Sequence, residues 1–190
     1  MTKKPYKSGI IGLGANLPSA IGPPAKTLTS ALDMIQTEGV TIQKVSQLYS
    51  TPCFPSGAGP DYVNAVAIID TVLSAQDLLS RLHNVEETIG RKRIGRWGQR
   101  VIDLDLLAYA DEISPNLDVF EHWQNLPLDQ QTKEAPEQLI LPHPRIQDRA
   151  FVLVPLTEIA SAWIHPVFKR NAASLLSDLK AEDVNQVIAI

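Results

Sequence analysis

Two aspartates stand two positions apart in an apolar stretch that predicts a β-strand over residues 101–109. Because side chains alternate between the faces of a strand, Asp103 and Asp105 are expected on one face, with Cα atoms roughly 6.6 Å apart. Two carboxylates at this spacing repel each other and lose hydration when buried, so a positive group is expected between them. Nearby arginines are one candidate. The other is Mg²⁺, which takes one or two carboxylates and completes its shell with water and substrate phosphates.

A basic segment immediately precedes this strand. Residues 91–100 contain five cations, namely Arg91, Lys92, Arg93, Arg96 and Arg100. Such a run is commonly a solvated surface, but these residues lack helical spacing and lie between a predicted helix and the aspartate strand. Arginine donates paired hydrogen bonds to phosphate oxygens, so we interpret the segment as a loop that closes over a polyanion. With the aspartates it predicts metal-assisted phosphoryl transfer, at a site built without a Walker A motif.

A third candidate lies in residues 141–151. His143 stands between Pro142 and Pro144, which stiffen the backbone and hold the ring in one place. A single histidine of this kind is more often structural than functional. Arg145 and Arg149 share a face if a helical turn forms there, and they add further hydrogen-bond donors.

The elements that must position these residues follow the order β-α-β-β-α-β. Strands are predicted at 9–13, 40–49, 62–73 and 101–109, and helices at 28–35 and 74–90. The second helix has a capping pair, Ser74 and Asp77, and ends at Gly90. Shorter helices are expected at 151–160 and 172–179. The order predicts an α+β, ferredoxin-like βαββαβ core, with a mostly antiparallel sheet flanked by helices and with long mobile loops.

Length and composition restrict the protein class. The 190 residues carry a net charge of −4 and are 44% hydrophobic, which fits one domain over residues 1–190. The negative charge disfavours a nucleic-acid partner, and no apolar stretch approaches membrane-spanning length. Residues 111–138 hold seven acidic residues and Lys133, and we interpret them as an acidic loop insertion with a helical turn near 118–125. We expect a cytoplasmic monomer; the single Cys53 is compatible with a reducing compartment.

Together these motifs resemble the 6-hydroxymethyl-7,8-dihydropterin pyrophosphokinase family of folate biosynthesis. The resemblance covers residues 9–165 and depends chiefly on R-W-G-Q-R-V-I-D-L-D at 96–105 and L-P-H-P-R at 141–145. Shorter matches lie at 13–17, 49–52, 61–65, 86–91 and 149–153. The resemblance implies transfer of the pyrophosphoryl group of ATP to the hydroxymethyl oxygen of 6-hydroxymethyl-7,8-dihydropterin, with release of AMP.

The resemblance also implies roles for individual residues. Asp103 and Asp105 are expected to hold two Mg²⁺ ions and to form the catalytic set with Arg91 and Arg100. ATP binding is implied for Glu86, Arg93, Arg96, Trp97, Leu106, His143 and Arg149. Pterin binding is implied for Gly14, Thr51, Pro52, Phe54, Tyr62, Asn64, Trp97 and Phe151. In this scheme Tyr62 and Phe151 stack on the pterin, and the amide of Asn64 reads its ring edge.

Three features depart from the family pattern, and two alternatives remain. Ala15 replaces the usual Ser, Gln99 stands where many members have Pro, and the acidic insertion is longer than in compact members. One alternative is a homologue that binds pterin or ATP without turnover. The other is a ferredoxin-like RNA-binding module, although its stacking aromatics are few here and the aspartate pair would repel RNA.

Overall fold

The architecture is an antiparallel sheet with helices on both sides. The computed structural model describes residues 5–53, 59–91, 100–127, 130 and 134–190. Its strands are β1 (Lys7–Ala15), β2 (Val40–Val45), β3 (Tyr49–Thr51), β4 (Tyr62–Thr71), β5 (Asp103–Tyr109) and β6 (Ile188–Ala189). They are ordered β5-β1-β4-β3-β6, and β2 also pairs with β4. All these pairings are antiparallel, so the predicted ferredoxin-like α+β fold is confirmed.

The helices are α1 (Pro24–Ile35), α2 (Ala75–Ile89), α3 (Leu117–Gln124), α4 (Ala150–Ala160), α5 (Ala172–Ser177) and α6 (Ala181–Asn185). Local sequence determines the ends of α2. The Ser74 hydroxyl accepts a hydrogen bond from the Asp77 backbone N–H, as the capping pair predicted. Gly90 ends the helix with φ of 102°, a conformation that glycine adopts without steric cost. Helix α3 confirms the helical turn predicted within the acidic insertion.

Each side of the sheet has its own apolar core. Helices α1 and α2 pack on one side through residues such as Leu28, Leu78 and Leu82, against Ile11 and Leu104 of the sheet. Helix α4 packs on the other side through Val152, Leu153 and Leu156, against Ile10, Val66 and Leu107. Because α4 covers only part of this second side, the remainder of that side is available for polar residues.

The structure corrects the prediction of strands at two places. The strand predicted at 40–49 is divided into β2 and β3, because the Ser46 side chain interrupts the pairing with β4. Its hydroxyl accepts the Val66 N–H, and the Ser46 N–H is donated to the Val66 carbonyl. The second correction is strand β6, which was not predicted. It is only two residues long and pairs with β3 through contacts that no local pattern encodes.

Candidate functional site

A row of residues crosses the part of the sheet that α4 does not cover. Asn64 of β4 is the register partner of Gly14 in β1, and Gly14 is the partner of Asp103 in β5. A Cβ atom added at Gly14 would lie 3.0 Å from the Asn64 Oδ1 atom and 4.0 Å from the Tyr62 ring. A larger residue at position 14 would therefore crowd the Asn64 amide, and glycine leaves room for its close approach to the backbone. The sheet register thus places two predicted pterin residues next to the first predicted metal ligand.

Asp103 lies between two arginines. The Arg91 Nη1 atom is 2.7 Å from Asp103 Oδ1, and the Arg100 Nη1 atom is 2.5 Å from Oδ2. Burial and the nearby Asp105 raise the pKa of Asp103, while the guanidinium groups of Arg100 and Arg91 oppose this rise. Arg91 and Arg100 therefore both form ion pairs with Asp103. The predicted catalytic residues Arg91, Arg100 and Asp103 lie together.

Asp105 is more open than Asp103. Its side chain is 45% exposed, and the Arg149 Nη1 atom lies 3.7 Å from its Oδ2 atom. The Arg149 guanidinium also lies over the Phe151 ring, 5.6 Å from the ring centroid. Phe151, at the start of α4, is 39% exposed. Arg149 therefore connects the second aspartate to the aromatic residue that was predicted to stack on the pterin.

Glu86 is enclosed behind this pair of aspartates. Its side chain is 2% exposed, and Oε1 accepts the Leu104 backbone N–H at 2.7 Å. The same oxygen contacts the Arg91 Nη1 atom. Burial raises the pKa of Glu86 to about 7, against the lowering effect of the Leu104 N–H and of Arg91. The Glu86 carboxylate is therefore enclosed, and Arg91 links it to Asp103.

His143 lies beside the outer edge of β5. Its backbone N–H is donated to the Leu107 carbonyl at 2.7 Å, and its Nδ1 atom accepts the Arg145 N–H at 3.1 Å. Burial lowers the pKa of His143 well below its usual range, and the charge of Arg149 lowers it further. The ring is therefore neutral, and since Nδ1 accepts, its proton is on Nε2. His143 would act as a hydrogen-bond donor rather than as a cation.

The predicted pterin residues of β3 and β4 form a connected group. The Asn64 Nδ2 atom donates to the Thr51 hydroxyl at 2.8 Å, which fixes the orientation of the amide. Pro52 follows at the surface, whereas Tyr62 is half-buried. Burial raises the pKa of Tyr62; the Arg100 guanidinium opposes this rise, whereas the Asp103 carboxylate adds to it. The ring of Tyr62 is thus near the charged cluster as well as near Gly14.

The remaining predicted residues either lie outside the described part of the chain or face the other side of the sheet. Phe54, Arg93, Arg96 and Trp97 lie outside the described residues. Leu106 lies on the other side of the sheet, where its side chain is 4% exposed within the core beneath α1 and α2. Its neighbours Asp105 and Leu107 point to the site side because side chains alternate along β5. The side chain of Leu106 therefore lies on the opposite side of the sheet from Asp105, and the implied contact of Leu106 with ATP stays a prediction.

Sequence reasoning gave Asn16 no role of its own. Its side chain is buried, with Oδ1 accepting the Arg100 N–H at 2.9 Å and Nδ2 donating to the Pro60 carbonyl at 3.2 Å. Its own backbone N–H is donated to the Arg100 carbonyl at 3.1 Å. Asn16 thus fixes Arg100 beside Asp103. The available signal was an amide directly after an apolar strand, where a long-range hydrogen bond is often required.

The donor set fits Mg²⁺ bound with a polyphosphate. Within the described ranges no group of three or more His, Cys, Asp or Glu side chains could enclose a metal ion. Asp103 and Asp105 supply two carboxylates on one face, and Mg²⁺ commonly takes its other ligands from water and substrate phosphates. Among the described residues, no helix is sufficiently long and apolar to span a membrane.

Comparison with known proteins agrees with this geometry. Residues 10–161 match the family described as 7,8-dihydro-6-hydroxymethylpterin-pyrophosphokinase (HPPK). The chain belongs to this family. It is 34% identical over 171 residues to the 2-amino-4-hydroxy-6-hydroxymethyldihydropteridine pyrophosphokinase of Synechocystis sp., covering 90% of this chain and 75% of that protein. The enzyme of the same name from Haemophilus influenzae is 38% identical over 157 residues, or 82% of this chain and 83% of the relative.

Solved structures show the same fold. The wild-type HPPK-DHPS of Plasmodium falciparum with pterin and p-hydroxybenzoate superimposes with a TM-score of 0.66 and 15% identity, covering 94% of this chain. An HPPK-DHPS in complex with substrates superimposes with a TM-score of 0.64 and 14% identity, covering 92% of this chain. This chain spans 44% and 43% of those two chains, respectively.

Proposed function

We propose that this HPPK-family chain transfers the pyrophosphoryl group of ATP to the hydroxymethyl oxygen of 6-hydroxymethyl-7,8-dihydropterin and releases AMP, in folate biosynthesis. The observation that carries the proposal is the polar row on one side of the sheet. It places Asn64, Gly14 and Asp103 in register, with Asp105 two residues further along β5. The names of the relatives support the choice of substrates.

The proposed cofactor is Mg²⁺, held by Asp103 and Asp105 together with the phosphates of ATP. When bound, Mg²⁺ neutralises phosphate charge and orients the oxygens of an in-line transfer. The two carboxylates face the same side of β5, and Asp105 is exposed enough to be reached from solvent. These two side chains are the proposed metal ligands of the chain.

Three arginines are proposed to bind phosphate. Arg91 and Arg100 now pair with Asp103, and Arg149 lies near Asp105. Guanidinium groups bind phosphate oxygens as readily as carboxylate oxygens, so these side chains can exchange one anion for another with small movements. Since the reaction requires mainly alignment and charge neutralisation, these contacts would supply much of the chain's own contribution.

The pterin is proposed to bind over Gly14, between Tyr62 and Phe151. The hydrogen bond from Asn64 Nδ2 to Thr51 leaves Oδ1 over the Gly14 backbone, so the amide is held in one orientation. An amide fixed in this way can discriminate the donor and acceptor edge of a pterin ring. The single sheet with its two helical layers supports one domain that carries both substrate sites.

Product analysis tests the proposal directly. The chain should be incubated with ATP, Mg²⁺ and 6-hydroxymethyl-7,8-dihydropterin, and the nucleotides separated by anion-exchange chromatography. We expect AMP to form only in the complete mixture, and not when the pterin is omitted or when EDTA removes the metal. Formation of ADP would mean transfer of a single phosphoryl group, and it would contradict the proposed attack at the β-phosphorus.

A further inference from the structure

Glu86 is a buried carboxylate that the proposed chemistry does not use directly. It lies on the inner side of α2, between Val85 and Ile89, which contribute to the apolar core. A buried carboxylate is costly to the folded state unless charged and hydrogen-bonded partners compensate for the lost hydration. A carboxylate at this position is therefore expected to have a role that neither core packing nor helix capping explains.

The first contact of Glu86 is with the backbone of β5. Its Oε1 atom accepts the Leu104 N–H at 2.7 Å, and Leu104 is the residue between Asp103 and Asp105. Strand β5 pairs with β1 on its inner edge. Glu86 thus supplies an acceptor for the backbone that carries both aspartates, and it fixes β5 relative to α2 at this point.

The second contact is with Arg91. The Arg91 Nη1 atom contacts Glu86 Oε1 and also lies 2.7 Å from Asp103 Oδ1. The backbone reinforces this link, since the Arg91 N–H is donated to the Glu86 carbonyl at 2.9 Å. One guanidinium nitrogen is therefore shared between an enclosed carboxylate and a carboxylate that faces the site.

The difference in exposure between these two carboxylates defines the role. The Glu86 side chain is 2% exposed, against 24% for Asp103. Asp103 can therefore engage a ligand from solvent, whereas Glu86 is an enclosed partner that Arg91 keeps in either case. Because Glu86 holds it, the Arg91 side chain stays directed towards the site and keeps its position when Asp103 binds a ligand instead of Arg91.

We propose that Glu86 is a positioning residue for pyrophosphoryl transfer, which holds Arg91 and the Asp103–Asp105 backbone in register without touching either substrate. This inference rests on the proposed function. It replaces the direct ATP contact that the sequence resemblance implied for Glu86. The partners that hold metal ligands in place typically contribute roughly 10- to 100-fold to metal affinity or activity, and we assign Glu86 an effect of this size.

The test compares Glu86→Gln with Glu87→Gln, an exposed neighbour on the same helix. Glutamine keeps an oxygen that can accept the Leu104 N–H but replaces the carboxyl group that holds Arg91 with a neutral amide. We expect kcat of Glu86→Gln to fall roughly 10- to 100-fold, while KM for the pterin changes less than about twofold. The Glu87→Gln control should match the wild type.

A double-mutant cycle separates positioning from general destabilisation. If Glu86 acts through Arg91, then Glu86→Gln added to Arg91→Ala should lower kcat little further than Arg91→Ala alone. Multiplicative losses would overturn the inference, as would an unchanged kcat in correctly folded Glu86→Gln. Circular dichroism and thermal melting of each variant exclude loss of the fold as the cause of a lower rate.

Metal binding gives a readout that does not depend on turnover. Electron paramagnetic resonance should measure Mn²⁺ bound in the presence of a non-hydrolysable ATP analogue. We expect Glu86→Gln to weaken Mn²⁺ binding by roughly tenfold and Glu87→Gln to leave it unchanged. Equal affinity in Glu86→Gln and wild type would contradict the role. If the wild type binds Mn²⁺ but forms no AMP, the proposed function fails while this comparison still tests the positioning of the aspartates.

Discussion

One side of the sheet has two ends with opposite surroundings. At the covered end, Ile10, Val66 and Leu107 pack beneath α4, and Leu107 is 1% exposed. At the open end, the same strands present Gly14, Asn64 and the two aspartates. Asp105 is two residues from Leu107 on the same strand and the same side, yet its side chain is 45% exposed. Coverage by a helix, rather than strand type, separates the stabilising end from the chemical end.

The two ends also differ in their electrostatics. The covered end is stabilised by apolar burial, which is non-directional and tolerant of small shifts. The open end holds three arginines and two aspartates whose side chains lie close together, and its geometry depends on directed contacts from Asn16 and Glu86. A substitution at the open end should therefore alter activity more than stability, and one at the covered end should do the reverse.

The largest effect is expected for Asp105→Asn. The amide keeps the size of the side chain but removes a proposed metal ligand, so we expect kcat to fall by at least about 100-fold. Because the change relieves repulsion with Asp103, the melting temperature should stay the same or rise. Asp111→Asn, at an exposed aspartate just beyond β5, is the matched control. Steady-state kinetics with thermal melting distinguish the outcomes, and near wild-type turnover in Asp105→Asn would contradict the role.

The converse substitution is Leu107→Ala at the covered end. Removing this buried side chain should lower the free energy of unfolding by about 2–5 kcal/mol through lost burial and a residual cavity. The specific activity of the folded fraction should change less than about twofold, since Leu107 faces α4 and not the proposed substrates. Urea unfolding followed by circular dichroism provides the measurement, with the exposed Leu117→Ala as control. A large loss of kcat without loss of stability would show that the two ends are not separate.

A smaller effect is expected from His165, which packs at the covered end against Phe168 with ring centroids 4.4 Å apart. Burial lowers the pKa of His165 to about 4, from about 6.5, so the folded state disfavours the protonated ring. The neutral ring of His165 makes its full contribution to the free energy of unfolding above pH 6.5. As the pH falls towards 4, this free energy decreases by up to about 3 kcal/mol, because the unfolded state binds the proton more readily. The unfolding free energy of His165→Asn should therefore fall less steeply between pH 7 and 5 than that of the wild type.

The matched control for this titration is His122→Asn, at an exposed histidine of α3. Its unfolding free energy should show the same pH dependence as the wild type. Identical slopes in His165→Asn and the wild type would contradict a neutral, buried His165.

The sequence was most informative where the signals were local. The Ser74 cap, the Gly90 terminus and the shared face of Asp103 and Asp105 each depend on neighbouring residues, and the structure confirms these features. The contacts of Glu86 with Leu104 and of Asn16 with Arg100 join residues 18 and 84 positions apart. No local pattern encodes such pairs, because tertiary packing determines them. The ATP-site role that the resemblance implied for Leu106 stays a prediction, although strand alternation alone places its side chain on the opposite side of the sheet from Asp105.

The most direct test of the account is metal binding at the two aspartates. Mn²⁺ should be titrated into the chain in the presence of a non-hydrolysable ATP analogue and followed by electron paramagnetic resonance. We predict two Mn²⁺ ions per wild-type chain, and loss of this binding in Asp103→Asn/Asp105→Asn while the variant keeps its circular dichroism spectrum. Unchanged stoichiometry and affinity in the double variant would contradict the claim that the open end of the sheet is the metal and phosphate site.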